Sequence, residues 1–447
     1  LAGYIVERVS GEEFDSYVAH HIFQPLGMTH STFEQPLPAN LLPDMAKGYP
    51  QASKPAKPFE YVVAAPAGSL SSTGDDMGKF MMAHLANGTY NGGTILKPET
   101  AILMHKEQYV LAPPLPGMAL GFYHEDRNGQ VIIAHAGDTT VFHSDLHLFL
   151  NDNVGLFMSF NSAGKAGAVG AVRSQLFRDF TDRYFPAPAT APLPTWKDAK
   201  ADGATMAGPY IMNRRADTSF FRALNVLGRV TVTSDKDGIL QVSAFKSPGG
   251  VMRKWREVGH FYWQEVNGSS RMAARFVDGK MIGFTSDDEP PVLLFSPAPA
   301  WSNPWPLRLS CLYILLFTLL WPISMWARAR YGARFQLEGS AAKANRLVHF
   351  AALWDVAVMA MWAVFLTMIT SSGELTKAID FPLLTIQLLG FLSIVSALIG
   401  VWNLVVVWRD GGRSWFAKIT SVLIALALIT FVYVQFTLHL VGTQTNF

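Results

Sequence analysis

The chain has 447 residues, half of them apolar and only 16% charged, with a formal net charge of +2. That balance gives no reason to invoke nucleic acid, and the length allows about three domains. The single cysteine, Cys311, sits within an apolar run, which excludes an intramolecular disulfide.

In chain order, Tyr4-Ile5, Val9, Phe14 and Tyr17-Val18 recur at roughly helical spacing, which predicts an amphipathic helix at the start. Thr73, with Asp76 three residues later, reads as a capping box opening a helix through Met77, Phe80-Met81 and Leu85. Gly88 is placed to end it. Val131-Ile132-Ile133 then lead into His135-Ala136-Gly137, followed at once by Asp138-Thr139. Phe142 to Leu150 and Val154 to Phe160 read as further strands, so the small triplet falls between strand runs. Gly and Ala there leave the main chain bare, which suits a place where a ligand approaches backbone closely.

His143, Asp145 and His147 share one face of the strand that follows, which raises a metal reading. His143 and His147 are four residues apart, hence ~13 Å along a strand. Zinc–nitrogen bonds are ~2 Å long, so no metal is assigned. The expectation is a half-buried strand, with Phe142, Leu146, Leu148 and Leu150 inward and the polar set on the outer side. His143 is then a candidate at the mouth of a cleft. Ser159-Phe160-Asn161, at the end of the next strand, is read as structural.

Phe185 to Pro194 is rich in proline and alanine and predicts an extended, fairly stiff linker. Residues 205 to 298 read as all-β, with Asp237-Gly238, Asn267-Gly268 and Asp278-Gly279 between alternating runs. Such pairs favour hairpin turns that need positive φ, so an antiparallel meander closing into a small barrel or sandwich is expected.

The last third reads as membrane. Leu309–Trp326, Val348–Ile369, Leu383–Val407 and Ile419–Leu440 each reach the roughly 17–25 residues that span a bilayer core. The loop from Ala327 to Leu347 carries Arg328, Arg330, Arg334, Lys343 and Arg346 against Glu338. The loop from Thr370 to Phe381 has Lys377 against Glu374 and Asp380. The next has Arg409, Arg413 and Lys418 against Asp410. Basic loops stay cytoplasmic, which predicts that everything before the first span, and the C-terminal tail, lie outside. Arg308, at the outer edge, is expected to snorkel to the headgroups. Asp355, deep in the second span, is expected to bond Asn403 or Gln387 in the third, an intramembrane acid being costly unless partnered.

A family resemblance rests on several of these stretches together. They are the opening Leu1 to Gly11, Phe23 to Thr32 with its Pro25-Leu26-Gly27-Met28, Pro66 to Thr73 with Asp76-Met77, the His135-Ala136-Gly137 triplet and the strand ending Ser159-Phe160-Asn161. In this order they resemble the penicillin-recognising serine hydrolases, nearest the class C β-lactamase-related group that also holds D-amino-acid peptidases and esterases. The resemblance covers roughly residues 1 to 180. It implies an α+β hydrolase fold over 1–184; the linker at 185–204, the antiparallel β-domain at 205–300 and the four transmembrane helices at 301–447 follow from the composition, turns and apolar runs above.

The family's chemistry uses a nucleophilic Ser in Ser-x-x-Lys, a general base in Tyr-x-Asn, and Lys-Thr-Gly or its His-x-Gly variant on an edge strand. By resemblance His135 takes the hydrogen-bonding or cationic place, and Ala136 and Gly137 let substrate backbone lie close. The N–H of Asp138 serves as one oxyanion donor. Gly68 and Ser69 border the cleft with His143. No cofactor is implied. Tyr-x-Asn occurs nowhere in the chain. Ser-x-x-Lys is spelled at Ser162–Lys165 and Ser340–Lys343, the first after the triplet and the second in a basic loop between spans. The nucleophile and base motifs are therefore expected to precede Leu1, and this chain alone to be inactive. The reading is the C-terminal portion of a membrane-anchored serine hydrolase acting on a small peptide, amide or ester, in particular a peptide with a D-amino acid, outside the cytoplasmic membrane. Its rivals are an inactive hydrolase fold kept as a binding or sensor module, and an accessory domain of a membrane transport unit.

Overall fold

The computed structural model describes every residue except 189–192, 248, 333–336, 373–376 and 446–447. Arg334, Glu374 and linker residues 189–192, on which part of the charge and linker reading rests, lie outside the described residues. The chain packs as two compact units, one of Leu1–Gly208 with Thr231–Ser296 and the other of Pro209–Val230 with Pro297–Phe447.

The N-terminal segment forms two helices rather than one, α1 (Ala2–Ser10) and α2 (Phe14–Val18). Gly11 stands at φ 77 and stops α1 with its N–H on the Glu7 carbonyl, a left-handed position that glycine fills at no steric cost. A short helix α3 (Gln24–Leu26) precedes a long loop, and α4 (Gly74–Leu85) begins where Thr73 accepts a hydrogen bond from the N–H of Asp76 at 3.2 Å. The capping box is only half formed. The Asp76 carboxylate turns away, to the His30 N–H (2.8 Å), the Ser31 hydroxyl (2.9 Å) and Lys79 (2.8 Å). It thereby ties α4 to the loop after α3.

A two-stranded ribbon, β1 (Thr89–Tyr90) with β2 (Gly93–Thr94), and helix α5 (Pro98–His105) lead to the central sheet. Its strands are β3 (Tyr123–His124), β4 (Ile132–Asp138), β5 (His143–Phe149) and β6 (Val154–Phe160), antiparallel in that order. The triplet is therefore not between strands; it is the second half of β4. One face of the sheet packs Ile133, Leu146 and Leu148 on Met81 of α4. The other packs Ile132, Phe149 and Met158 on Phe177 of α6 (Ala168–Tyr184). Both faces are covered, which overturns the expectation that β5 shows a polar side to solvent. His143, Asp145 and His147 are 7%, 8% and 0% exposed beneath α6.

The predicted linker ends in a helix, α7 (Ala199–Met206), where no regular structure was expected. The β-domain is a closed eight-stranded antiparallel barrel of β7 (Gly208–Met212), β8 (Val230–Ser234), β9 (Leu240–Lys246), β10 (Met252–Gly259), β11 (Tyr262–Glu265), β12 (Arg271–Val277), β13 (Lys280–Ser286) and β14 (Phe295–Pro297). The three predicted hairpin turns join β8–β9, β11–β12 and β12–β13. Gly238, Asn267, Asp278 and Gly279 all take positive φ, as such turns require. Trp255, Trp263, Phe284 and Leu240 fill the interior at 0% exposure. A helix, α8 (Arg222–Leu227), interrupts the stretch read as all-β. Phe220, Ala223 and Val226, three residues apart, form one apolar stripe that packs with Trp362 and Phe365 of the second unit, and this stripe selects helix over strand.

Four helical spans are long and apolar enough to cross a membrane: Ala300–Arg330, Gly339–Thr370, Lys377–Arg409 and Trp415–Thr437. They comprise α9 (Pro304–Arg330), α10 (Gly339–Ser372), α11 (Asp380–Gly390) with α12 (Leu392–Arg409), and α13 (Trp415–Thr437). Leu309, Leu312, Leu316, Leu319 and Leu320 of α9 stay exposed, as a lipid-facing surface demands. Helices α9 and α10 run on into the basic stretch that was read as loop, so Ser340 and Lys343 lie on α10. Asp355 is fully buried and faces Ser393 and Ser396 of α12, not Asn403 or Gln387. Gln387 instead lies beside Gly442.

One acid in the barrel carries a pH signature. Glu257 is 0% exposed, and its Oε1 accepts the Phe261 N–H at 2.7 Å. Burial, reinforced by the neighbouring carboxylates of Asp202 and Asp198, pushes its carboxyl up to about 8. The folded barrel thus keeps a proton that the unfolded chain releases near 4.5. Stability is greatest below that value and falls as pH rises towards about 8. Hydrogen exchange of β10 should therefore quicken between pH 5 and 8 beyond its intrinsic rise, and Glu257→Gln should abolish the excess.

Candidate functional site

The end of β4 is built by register. Ala136 stands opposite Asp145, Gly137 opposite Ser144 and Asp138 opposite His143. Side chains alternate along a strand. His135 and Gly137 therefore point to the face shared with Leu146, and Ala136 and Asp138 to the face under α6. Backbone groups alternate as well. The Ala136 N–H points away from β5, donating to Tyr123 Oη at 3.0 Å, and the Asp138 N–H, two residues on, points to the same edge. Strand β3 pairs with β4 only at Ile133 and Ala134. The edge from His135 to Asp138 is therefore unpaired by any strand among the described residues.

Three observations make this edge accessible. His135 is exposed, its ring 5.9 Å from that of Tyr123. Gly137 is exposed too, and a Cβ built on it would meet nothing within 4 Å. Its backbone is not left-handed, so neither packing nor conformation requires glycine, and the open space in front of it is available to a ligand. Burial pushes the Tyr123 phenol far above its ordinary value, which keeps it a neutral acceptor for the Ala136 N–H.

Behind the strand lies a charge network. The guanidinium of Arg173, on α6, forks onto the two oxygens of Asp138 at 3.1 Å each, and donates to the Ser144 carbonyl at 2.9 Å. His143 Nδ1 lies 2.6 Å from Asp138 Oδ1. Partial burial alone would raise the Asp138 carboxyl, but the hydrogen bonds from His143 and Arg173 hold it below its usual range. His147, stacked on Phe177 at 3.9 Å, lies 3.3 Å from both Glu125 and Asp145. Burial opposes its charge, yet the two carboxylates prevail and push it up to about 9. His143 thus sits on the opposite face of the sheet from His135, engaged with Asp138. Among the described residues, no group of three His, Cys, Asp or Glu is placed to hold a metal ion.

Gly68 and Ser69 form a tight turn, Gly68 at φ +84. The Ser69 N–H (3.2 Å) and hydroxyl (2.9 Å) both donate to the Pro66 carbonyl, so this buried serine closes its own turn. The same loop reaches the β4–β5 turn through a residue the sequence did not single out. Glu60 accepts from the Thr140 N–H at 2.9 Å and from its hydroxyl at 2.6 Å. Asn161 donates to the Lys47 carbonyl at 2.9 Å, and the Ser159 and Ser144 hydroxyls pair at 3.1 Å, both structural roles. Ser162 accepts from the Gly164 N–H at 3.3 Å.

Arg173 and Tyr123 also escaped sequence reading, and for Arg173 a signal existed. Val169, Arg173, Phe177 and Thr181 recur every four residues, and Val169, Phe177 and Thr181 are buried. An arginine on the apolar stripe of a helix needs a buried anion. Within the first unit the barrel also backs this region. A cavity of about 290 Å³ is lined by Asp126, Arg178, Arg271 and Asp287, and a smaller one of about 80 Å³ reaches Tyr123, Ala136, Arg173 and Glu289.

Known proteins resemble parts of the chain. Residues 1–176 match the family model described as Beta-lactamase. A Bacillus subtilis (strain 168) protein named as a penicillin-binding protein, PbpX, is 34% identical over 94 residues, 20% of this chain and 24% of its own length. The chain thus spans about a quarter of that relative. Among solved structures, the octameric penicillin-binding protein homologue from Pyrococcus abyssi is similar at 17% identity and a TM-score of 0.34, over 64% of this chain and 58% of that one. A class C beta-lactamase is similar at 15% identity and a TM-score of 0.32, over 37% of this chain and 51% of that one. Residues 1–176 are thus the part of the chain that matches the Beta-lactamase family.

If Gly137 serves access and not folding, Gly137→Ala should alter the opening free energy of β4, read by hydrogen exchange, by no more than about 0.5 kcal/mol. Tyr123→Phe, which strands the Ala136 N–H, should lower it by about 1–2 kcal/mol.

Proposed function

We propose that the full-length protein is a membrane-anchored serine hydrolase whose active site faces outward and which cleaves an amide or ester, with a peptide carrying a D-amino acid as the preferred class. The single observation that supports this most is the open edge of β4, where His135 is exposed, Gly137 faces free space and the Asp138 N–H points along an edge with no neighbouring strand among the described residues. The family of residues 1–176 supports the reaction class.

In this reading a serine outside residues 1–447 attacks the substrate carbonyl carbon, its proton passing to a base. The Asp138 N–H and the serine's own N–H take the tetrahedral oxyanion, each such donor being worth about 3–4 kcal/mol. Collapse expels the amine or alcohol, which carries the proton away, and water then releases the acid from the acyl-enzyme. His135 hydrogen-bonds the substrate from the adjoining wall. The orientation rests on the charges at the helix ends. Arg328 and Arg330 close α9, Lys343 and Arg346 open α10, and Arg409, Arg413 and Lys418 flank the turn between α12 and α13. Such clusters stay cytoplasmic.

The test is labelling of the full-length protein with a fluorescent β-lactam and a fluorophosphonate, followed by mapping of the modified peptide. Labelling of a serine outside residues 1–447 is expected, and His135→Ala should slow it by about 10- to 100-fold, the scale of lost hydrogen-bond catalysis. Absence of label while a known family member reacts alongside, or a label on Ser162 or Ser340, would overturn the proposal.

A further inference from the structure

The peptide group that links Gly137 to Asp138 is held from behind by one side chain. Arg173 Nη1 donates to the Gly137 carbonyl at 3.4 Å as well as to Asp138 Oδ1 and the Ser144 carbonyl, Nη2 donates to Asp138 Oδ2, and Nε lies 3.6 Å from Asp145 Oδ2. The Gly137 C=O and the Asp138 N–H belong to the same planar unit, so the orientation of one fixes that of the other. A cation hydrogen-bonded to the carbonyl oxygen also draws charge through the amide and makes its N–H a stronger donor, by about 10–30% per bond in chains of hydrogen bonds. The carboxylate of Asp138 is held as well by His143, whose Nδ1 lies 2.6 Å from the same Oδ1. The residue that offers the N–H is therefore immobilised through its carbonyl neighbour and its side chain at once.

From this we infer that Arg173 is a positioning residue, which aims and polarises the Asp138 N–H as oxyanion donor through the face of the sheet opposite the substrate. The inference rests on the serine hydrolase reading above. A plain strut between α6 and the sheet would need only the Ser144 carbonyl and Asp145. The bidentate fork falls instead on Asp138, at the end of the open edge, and an arginine so placed contributes planar, two-point geometry that lysine cannot reproduce. Asp138 is matched to this role because its side chain points away from the open face, so its charge serves the clamp and not the cleft.

The test uses the full-length protein with an amide or ester substrate that the wild type turns over. Arg173→Lys keeps the positive charge beside Asp145 and loses the fork. It should lower kcat by about tenfold or more, short of the ~100- to 1000-fold that follows loss of a whole oxyanion donor, with KM changed by less than about twofold. The rate of fluorophosphonate labelling should fall by the same factor as kcat. Asp138→Asn, which retains the N–H and the side-chain volume, should show the same split with a smaller drop. An unchanged kcat in a folded Arg173→Lys protein, or a loss confined to KM, would overturn the inference. An arm independent of activity is amide hydrogen exchange, which in Arg173→Lys should quicken at Thr139, whose N–H bonds the Phe142 carbonyl at 2.8 Å beside the clamped Asp138, and not at Ile133. Unchanged exchange at Thr139 would count equally against it. Absence of turnover by the wild type would instead strike at the hydrolase reading, and the exchange arm would still decide the role of Arg173.

Discussion

The register of β4 on β5 decides what each residue near the triplet can do. Because side chains alternate, pairing Ala136 with Asp145 sends His135 and Gly137 to one face and Asp138, His143, Asp145 and His147 to the other. A slip of one residue would bury His135 beneath α6 and turn Asp138 into the cleft. The network beneath α6 guards against that slip. Arg173 bonds acceptors on both strands, and His147 is held between Glu125 and Asp145. A misregistered strand would leave those buried charges unpaired, and an unpaired buried charge costs far more than a misplaced apolar side chain. Polar groups thus specify the arrangement, while the apolar layers on Met81 and Phe177 supply the bulk of the burial.

Much of this architecture was legible in the chain because local chemistry sufficed. Asp-Gly and Asn-Gly pairs announced three barrel hairpins, and uninterrupted apolar runs announced four spans. The misses share a physical cause, since each depends on a partner distant in sequence. The polar side of β5 reads as solvent-facing until α6 is known to lie on it. Thr73 and Asp76 read as a reciprocal cap until the loop carrying His30 and Ser31 claims the carboxylate. Helix α8 looks like part of a β-rich stretch until its apolar stripe meets Trp362 and Phe365. Within the candidate site the triplet was legible and its support was not. Tyr123 and Glu60 act through contacts distant in sequence that no spacing near the triplet foretells, and Arg173 shows only as an arginine on the apolar stripe of α6.

The bundle shows a different balance. Asp355 is completely buried, with two serine hydroxyls as its neighbours on α12. In a hydrocarbon layer such a group cannot be satisfied by lipid, so its burial against α12 places it where only protein groups can partner it. Gly400 achieves the complementary effect by closeness, since a Cβ there would fall 2.9 Å from Leu428 and 3.4 Å from Ala425 of α13. Helix α12 is thus fixed on one side by polarity and on the other by the absence of a side chain.

The unpaired stretch of β4 has a bearing on solubility as well. A free strand edge is a template on which another chain can add as a further strand, and long edges invite aggregation. Here the edge is interrupted from within, because Tyr123 already occupies the Ala136 N–H and β3 covers the strand up to Ala134. What remains unpaired by a strand among the described residues is the short stretch from His135 to Asp138. The same phenol that orders the strand therefore also limits what can dock along it.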